Sequence, residues 1–113
     1  MIHLVTAVVR PHAIEAVKSA LKDVGISGMT VTEARGYGRQ GGHSETYRGA
    51  EYHVDFVPKA KIEILVESGQ AEKVAEVVSE SARSGKIGDG KIWISPVDRV
   101  MRIRTGESGP DAV

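Results

Sequence analysis

The chain has 113 residues, no cysteine, and equal numbers of basic and acidic side chains: 15 lysines and arginines against 15 aspartates and glutamates. This length predicts a single domain. A net charge of zero argues against a nucleic-acid-binding protein, which needs a basic excess, and the lack of cysteine excludes disulfides and thiolate metal sites. Apolar runs are shorter than the roughly 20 residues of a membrane span. The N-terminus lacks the basic start of a signal peptide, so we expect a cytoplasmic protein.

The first half of the chain predicts a strand, a helix and a second strand. Residues Ile2–Val9 are β-branched and apolar on both faces, which is typical of a strand covered on both sides, and the Arg-Pro pair that follows ends it. Apolar residues then recur at helical spacing from Ile14 to Val24, and Gly25 is placed to terminate this helix. Met29–Arg35 is predicted to be extended again.

The second half repeats this pattern. Lys59–Val66 alternates between polar and apolar residues and predicts a third strand. A helix follows from about Gln70 to Arg83, with Gly85 as its expected C-terminal glycine, and Lys91–Ser95 predicts a fourth strand. Val100–Arg104 is expected to be a short extended segment. The tail from about residue 105 to residue 113 is expected to be frayed.

The resulting order is β-α-β, a long loop, β-α-β and a short C-terminal extension. It predicts an α+β fold of the ferredoxin-like double βαβ type, in one domain over residues 1–113. Two helices can cover only one face of a four-stranded sheet. Because the strands carry apolar residues on their other face as well, we expect that face to meet another subunit.

The loop between the second and third strands, at about residues 37–53, contains all three tyrosines: Tyr37, Tyr47 and Tyr52. Few aliphatic side chains accompany them, so the loop cannot bury enough apolar surface to fix its own backbone, and we expect it to be flexible. Long structureless loops in compact domains usually have a function, and tyrosine is a large contact residue. We therefore expect this loop to contact a partner or to be modified. The alternative is a plain insertion.

Glycines and lysines are concentrated just before the fourth strand. Gly85, Gly88 and Gly90 allow positive φ, so successive N–H groups can converge on an anion beside Lys86 and Lys91. Residues 85–91 match most of a phosphate-binding P-loop, but an isoleucine follows the lysine where serine or threonine belongs, and a strand comes next instead of a helix. The alternative is an ordinary helix-to-strand connection.

Two arginines, Arg102 and Arg104, are placed to add to such a site. On an extended segment, residues two apart project from the same face about 6.6 Å apart, a spacing suited to neighbouring phosphates. The alternative is a pair of solvated surface charges. The four histidines show no metal-ligand spacing on any one element, and no acid–base pair can be assigned. Nothing in the sequence indicates a catalytic centre.

Residues 47–52, Tyr-Arg-Gly-Ala-Glu-Tyr, and residues 84–93, Ser-Gly-Lys-Ile-Gly-Asp-Gly-Lys-Ile-Trp, resemble the two signatures of the PII family of nitrogen-regulatory signal proteins. Thr30–Glu33 and Arg102–Glu107 fit the same pattern, and the resemblance extends over residues 1–107. It implies homotrimers of ferredoxin-like subunits, with a nucleotide site in each cleft between neighbours and a long loop that docks on target proteins. The Trp93 segment and the C-terminal tail resemble those of actinobacterial members.

The resemblance implies that the protein senses ATP or ADP and 2-oxoglutarate. The residues that it assigns to the nucleotide are Thr30, Gly38, Arg39, Leu65, Gly88, Asp89, Gly90, Lys91, Arg102 and Arg104. The two arginines would come from the adjacent subunit. Gln40 would reach a Mg²⁺ that joins the ATP phosphates to 2-oxoglutarate, and Lys59 would pair with the distal carboxylate of that acid.

Four positions bear on regulation and on ligand affinity. Tyr52 matches the tyrosine that a nucleotidyltransferase modifies in many PII proteins, and adenylylation is usual in actinobacterial members. Ala50 stands where cyanobacterial members carry a phosphorylated serine, which excludes that modification here. Gly41 stands where lysine or arginine is common in the family, and Arg10 where lysine is common. The implied targets are an ammonium transporter or a regulator or enzyme of nitrogen assimilation.

The resemblance predicts a protein that is not an enzyme, and two other functions stay open on sequence alone. An ATP-hydrolysing or phosphoryl-transfer enzyme could use the same nucleotide site, although no base or metal-binding carboxylate is recognisable for it. A trimeric protein that binds divalent metals would share the architecture, although no metal ligands cluster in the sequence.

Overall fold

The structure is a computed structural model that describes residues 1–38 and 55–113. Within these residues the chain forms four strands and two α-helices, numbered in chain order: β1 (Ile2–Val9), α1 (Ile14–Asp23), β2 (Thr30–Gly36), β3 (Val57–Glu67), α2 (Ser68–Ala82) and β4 (Gly90–Val97). Short 3₁₀ helices lie at Pro11–Ala13 and Gly109–Ala112. In the described part of the chain, neither α-helix has the length and apolar character that crossing a membrane requires.

The sheet has the strand order β2-β3-β1-β4, and its neighbouring strands are antiparallel. One helix follows β1 and the other follows β3, so the ferredoxin-like α+β prediction is confirmed. β1 has the predicted bounds and lies inside the sheet, where Val5 pairs with Ile64 of β3 on one side and Ile94 of β4 on the other. Such cross-strand pairs of β-branched side chains are what stabilise a sheet.

Both α-helices pack on one face of the sheet and enclose the core. Alternate side chains of β1 and β3 point to the helices, and helical residues spaced three or four apart meet them. The core residues that are at most 2% exposed are Val5, Ala7, Val9, Val17, Leu21, Ile62, Ile64, Val66, Val74 and Val78. Burial of each larger aliphatic side chain contributes about 1.5–3 kcal/mol. In the third strand, the apolar residues of the predicted alternation, Ile62, Ile64 and Val66, are the ones that point inward.

Gly25 terminates α1 as predicted. It follows the C-cap residue Val24 and has a φ of +88°. Its N–H donates to the carbonyl of Lys22 over 3.0 Å, and the N–H of Ile26 donates to the carbonyl of Leu21 over 2.9 Å. These are the two bonds of a Schellman motif, which needs a left-handed residue at this position.

Gly85 does not terminate α2, so that prediction is wrong. The helix ends at Ala82, and the next residue, Arg83, is already extended, with φ −76° and ψ 132°. Gly85 does have a positive φ of +88°, but its N–H donates to the carboxylate of Asp89 over 2.8 Å. The glycine therefore serves the loop that follows the helix.

β3 and β4 are longer than predicted because both continue through a proline. Pro58 lies inside β3 and pairs with Arg35 of β2. β1 pairs with β3 only as far as Ala60, so β3 has one neighbour at Pro58, where the missing N–H is tolerated. β4 lies at an edge of the described sheet and runs through Pro96 for the same reason.

The face of the sheet opposite the helices is not covered by the described part of the chain. Leu65 and Trp93 lie on this face and are 40% and 48% exposed. Leu65 belongs to β3 and Trp93 to β4, on either side of β1, so the apolar side chains are not confined to one strand. Contiguous exposed apolar surface is typical of an interface, and contact with another subunit stays a prediction.

The residues after β4 do not form the predicted extended segment. Met101 makes an isolated bridge to Ser108. Between them the N–H of Arg102 donates to the carbonyl of Glu107, and the N–H of Gly106 donates to the carbonyl of Arg102, both over 2.8 Å. Gly106 has a φ of +76°, a conformation that lets the chain reverse. The prediction of an extended segment is therefore wrong, and the tail folds back instead of fraying.

Candidate anion-binding site

Gly90 brings the loop between α2 and β4 against the end of β1. It has a φ of +109°, and a Cβ at this position would overlap the carbonyl oxygen of Val8. Only glycine fits such a close approach of two backbones. Gly88 has a similar φ of +107°. Both glycines therefore adopt the positive φ that the sequence allows. The loop thus presents its backbone at one end of the sheet.

The carboxylate of Asp89 holds this loop in shape from within. Its Oδ2 accepts hydrogen bonds from the N–H groups of Ser84 and Gly85, each over 2.8 Å, and its Oδ1 accepts one from the Ser84 hydroxyl over 2.6 Å. The Ser84 hydroxyl, then the two N–H groups and the nearby Arg10 charge lower the pKa of Asp89 to about 2. The carboxylate is therefore ionised and its oxygens are engaged. We call these contacts the Asp89 clamp.

Two cations bind the same loop from outside. Arg10 Nη2 donates to the carbonyl of Ile87 over 2.8 Å, its Nε donates to the carbonyl of Gly88 over 3.3 Å, and Nη2 lies 3.6 Å from Asp89 Oδ1. Lys59 Nζ donates to the same Gly88 carbonyl over 2.9 Å. Residues from the ends of β1 and β3 therefore converge on the loop before β4.

The strand register extends this group of cations. Val8 lies between Lys61 of β3 and Lys91 of β4, so all three side chains share the open face of the sheet. Arg10 and Lys59 lie one step further toward the same end. We call Arg10, Lys59, Lys61 and Lys91 the cationic end. Several cations beside a glycine-rich backbone are an arrangement that suits a small anion with more than one negative charge.

The chain brings some of the predicted site residues together and separates others. Lys59, Gly88, Gly90 and Lys91 meet at the cationic end. Thr30 starts β2, which lies three strand spacings, about 14 Å, from β4 at the other edge of the sheet. Leu65 lies on the open face near that edge, because Thr30 pairs with Glu63.

Arg102 and Arg104 lie in the hairpin that follows β4, and the chain enters this hairpin from the end of β4 opposite Lys91. Arg102 donates to the carboxylate of Glu107 over 3.3 Å. The two arginines therefore do not project from one face of an extended segment, as their spacing predicted. Ile103 between them is 98% exposed.

Predictions for Arg39, Gln40 and Tyr52, and the departure at Gly41, fall outside the described residues. Gly38 is the last described residue before that segment. Among residues 1–38 and 55–113, no group of three or more histidine, aspartate or glutamate side chains is arranged to hold a metal ion. The predicted Mg²⁺ contact of Gln40 stays a prediction.

An aromatic contact joins the two chain segments that flank residues 39–54. The rings of Tyr37 and Phe56 meet edge to face with centroids 5.5 Å apart, and the Arg35 guanidinium lies 5.8 Å from the centre of the Phe56 ring. Contacts of these two kinds are worth about 0.5–1.5 kcal/mol each. They hold the end of β2 and the start of β3 together beside the cationic end.

Sequence reasoning missed the part that Arg10 plays. It was noted only as a departure from the family pattern, yet it contacts Ile87, Gly88 and Asp89. The available signal was its position in the sequence. Arg10 directly follows an apolar strand and is two residues after Val8, so it lies on the same side of the sheet as Val8. Its partners are separated from it by 77 and 78 residues, and local patterns do not reveal contacts at such a separation.

A family model described as Nitrogen regulatory protein P-II matches residues 2–107. The chain belongs to the PII family. The Nitrogen regulatory protein P-II of Azospirillum brasilense is 54% identical to it over 109 residues, which are 96% of this chain and 97% of that protein. Nitrogen regulatory protein GlnK of Escherichia coli K12 is 51% identical over 110 residues, 97% of this chain and 98% of that protein.

A solved PII structure agrees with the fold of this PII chain. It is the crystal structure of Arabidopsis thaliana PII bound to citrate, with a TM-score of 0.83 and 43% sequence identity, and the match covers 99% of this chain and 92% of that one. The predicted family is confirmed. The protein is therefore a nitrogen-regulatory signalling protein and not an enzyme.

Proposed function

We propose that this PII protein senses ATP or ADP together with 2-oxoglutarate, and that it passes the signal to target proteins through the loop at about residues 37–53. The targets are an ammonium transporter or a regulator or enzyme of nitrogen assimilation. The observation that carries the proposal is the meeting of Lys59 with the glycine loop that precedes Lys91. One cation suits a carboxylate and the other a phosphate, and they lie at the same end of the sheet.

The nucleotide phosphates fit the backbone of Gly88 to Gly90 and the side chain of Lys91. The carbonyl of Gly88 is turned toward Arg10 and Lys59. The carbonyl of Ile87 is also turned toward Arg10. Because a trans peptide directs its C=O and the following N–H to opposite sides, the N–H of Gly88 faces away from that guanidinium, while the N–H of Asp89 donates to the carbonyl of Lys86 over 3.3 Å. N–H groups at positive-φ glycines are a common way of binding phosphate oxygens.

A second copy of the chain completes the site in this proposal. Thr30 and Leu65, assigned to the adenine and ribose, lie toward the β2 edge, and Arg102 and Arg104 lie in a separate hairpin. A homotrimer with a site in each cleft places these residues of one subunit opposite the cationic end of its neighbour. The uncovered apolar face with Leu65 and Trp93 supports such an assembly.

The carboxylate part of the proposal rests on Lys59. Its ammonium group now bonds a neutral carbonyl, and a carboxylate is the stronger partner because both groups are then charged. The citrate in Arabidopsis PII is an anion with carboxylates, as 2-oxoglutarate is. Gln40 would contact Mg²⁺, whose charge lets a triphosphate and a dicarboxylate lie side by side.

Tyr52 would add a second level of control. A nucleotidyltransferase would modify its hydroxyl, which changes the size and charge of the loop that docks on targets. Modification at this place leaves the core and the cationic end untouched.

Calorimetric titration of the purified protein with ATP and with ADP tests the nucleotide part, and analytical ultracentrifugation gives the assembly. We expect saturable binding of both nucleotides, in competition with each other, by a trimer. A monomer, or the absence of saturable binding at millimolar nucleotide, would contradict the proposal. Targets are then tested by pull-down on the ammonium transporter of the same organism, with and without 2-oxoglutarate.

A further inference from the structure

The Asp89 clamp stands apart from the other features of the site, because it places a negative charge beside a proposed phosphate site. Both carboxylate oxygens point back into the loop, toward Ser84 and Gly85. The Ser84 hydroxyl also accepts a hydrogen bond from the N–H of Lys86 over 3.2 Å. The clamp thus fixes three consecutive residues at the start of the loop.

We propose that Asp89 is a positioning residue, whose carboxylate holds the loop in the shape that binds phosphate and does not itself contact the nucleotide. This inference rests on the proposed nucleotide site. A direct contact between the carboxylate and a phosphate would join two anions, and the hydrogen bonds to Ser84 and Gly85 already use the carboxylate oxygens. The side chain contributes through the backbone that it orients.

Arg10 connects the clamp to the rest of the protein. Its guanidinium lies against Asp89 Oδ1 and donates to the carbonyls of Ile87 and Gly88. The loop is therefore held at its start by the carboxylate and at its end by the guanidinium, and each of these two groups neutralises the other. With both carbonyls turned toward Arg10, the N–H of Gly88 is directed to the other side of its peptide, where a phosphate would lie.

The substitution Asp89→Asn distinguishes the effect of the loop's shape from the effect of the carboxylate's charge. Oδ2 accepts two N–H groups, while Oδ1 accepts the Ser84 hydroxyl and faces Arg10. An asparagine has one oxygen and one NH₂ group, so its side chain can lie in two orientations. In one orientation the NH₂ group faces two N–H donors. In the other it faces a guanidinium, which has no acceptor. Either orientation loosens the loop, although removal of a negative charge alone would favour an anionic ligand.

The experiment is calorimetric titration with ATP of the full-length protein and four variants. Asp89→Asn is expected to bind ATP about tenfold more weakly, and Ser84→Ala about threefold more weakly. Ser84→Thr keeps a hydroxyl and should restore the wild-type affinity. Asp98→Asn, which removes an exposed carboxylate beyond the far end of β4, is the matched control and should bind as the wild type does.

A second readout needs no nucleotide. In ¹H–¹⁵N spectra of the free protein, the amide signals of Ser84 and Gly85 should shift in Asp89→Asn and stay in place in Asp98→Asn. A loss of global stability alone would not select these two amides. Where Asp89→Asn does not fold, the comparison of Ser84→Ala with Ser84→Thr decides the question.

Each result has a defined meaning. If the wild type binds ATP and Asp89→Asn binds it as tightly or more tightly, the inference is overturned and the proposed function stands. Equal losses in Asp89→Asn and Asp98→Asn overturn it too, because they indicate a general effect of charge. Failure of the wild type to bind ATP or ADP overturns the proposed function itself, and the inference with it.

Discussion

Lys59 Nζ donates a hydrogen bond of 2.9 Å to the carbonyl oxygen of Gly88. β3 and β4 are not neighbours in the sheet, since β1 lies between them, so this bond joins two separate parts of the proposed site. The residue assigned to the carboxylate ligand thus already contacts the loop assigned to the phosphates. A carboxylate that binds Lys59 removes one of the hydrogen bonds to the Gly88 carbonyl, and the hydrogen bond from Arg10 remains. The two ligands are expected to influence each other through this shared carbonyl.

Replacement of Lys59 should separate the two ligands. Lys59→Ala leaves the distal carboxylate of 2-oxoglutarate without its charged partner and should cost about 2–4 kcal/mol of its binding free energy. ATP alone should still bind, because Arg10 continues to hold Gly88. Calorimetry with each ligand measures both effects. Lys22→Ala, an exposed lysine in the last turn of α1, is the control, and equal losses of 2-oxoglutarate affinity in both variants would argue against a specific role.

The hairpin arginines should bind phosphate although they do not share a strand. Loss of two charge-assisted bonds, each worth about 1.5–3 kcal/mol, should lower the ATP affinity of Arg102→Ala/Arg104→Ala at least about tenfold. Arg99→Ala, an exposed arginine before the hairpin, should bind normally. Titration of variants shown to be folded by circular dichroism is the measurement, and unchanged ATP binding by the double variant would remove both arginines from the site.

The Tyr52 hydroxyl should be needed for modification of the long loop but not for the fold. Tyr52→Phe keeps the ring and loses only the hydroxyl, so assembly and ATP binding should persist while nucleotidylylation disappears. Mass spectrometry of protein from nitrogen-starved cells tests this. Tyr47→Phe should still be modified, and a label found on Tyr37 or Tyr47 would refute the assignment.

Asp89 should titrate at an unusually low pH. Its pKa is lowered from 3.8 to about 2 in the folded protein, so its ionised form favours the native loop. This contribution is fully present above the unfolded value of 3.8 and is lost as the pH falls through about 2. Carboxyl ¹³C chemical shifts against pH measure the midpoint. A midpoint near the ordinary aspartate value would show that the clamp is not formed in solution.

The main elements were predictable because their side chains repeat at a regular spacing. β1 has the bounds expected from its apolar residues, and the end of α1 was predictable because Gly25 follows the last apolar position. The prediction began β3 at Lys59, after Pro58, whereas the strand begins at Val57. Pro58 has one neighbour, which only the sheet order reveals.

The site was less predictable, because its contacts join residues that are distant in sequence. The glycines and Lys91 indicated an anion site, but Gly85 was assigned to the helix end because the bond to Asp89 was not visible in a spacing pattern. Arg102 and Arg104 were expected to share an extended segment, but Arg104 lies inside the turn that the hydrogen bond from the Gly106 N–H to the Arg102 carbonyl closes. Arg10 could be placed only once the register of β1 and β4 was known.

The central claim is that this PII protein integrates nucleotide and 2-oxoglutarate signals. The most direct measurement is a titration of 2-oxoglutarate into the protein with ATP and Mg²⁺, with ADP and Mg²⁺, and with ATP and a chelator. Because the two acids can lie side by side only when a cation screens them, we predict tight binding in the first condition alone, and by linkage an equal gain in ATP affinity when 2-oxoglutarate is present. Equal 2-oxoglutarate binding in all three conditions would contradict the claim.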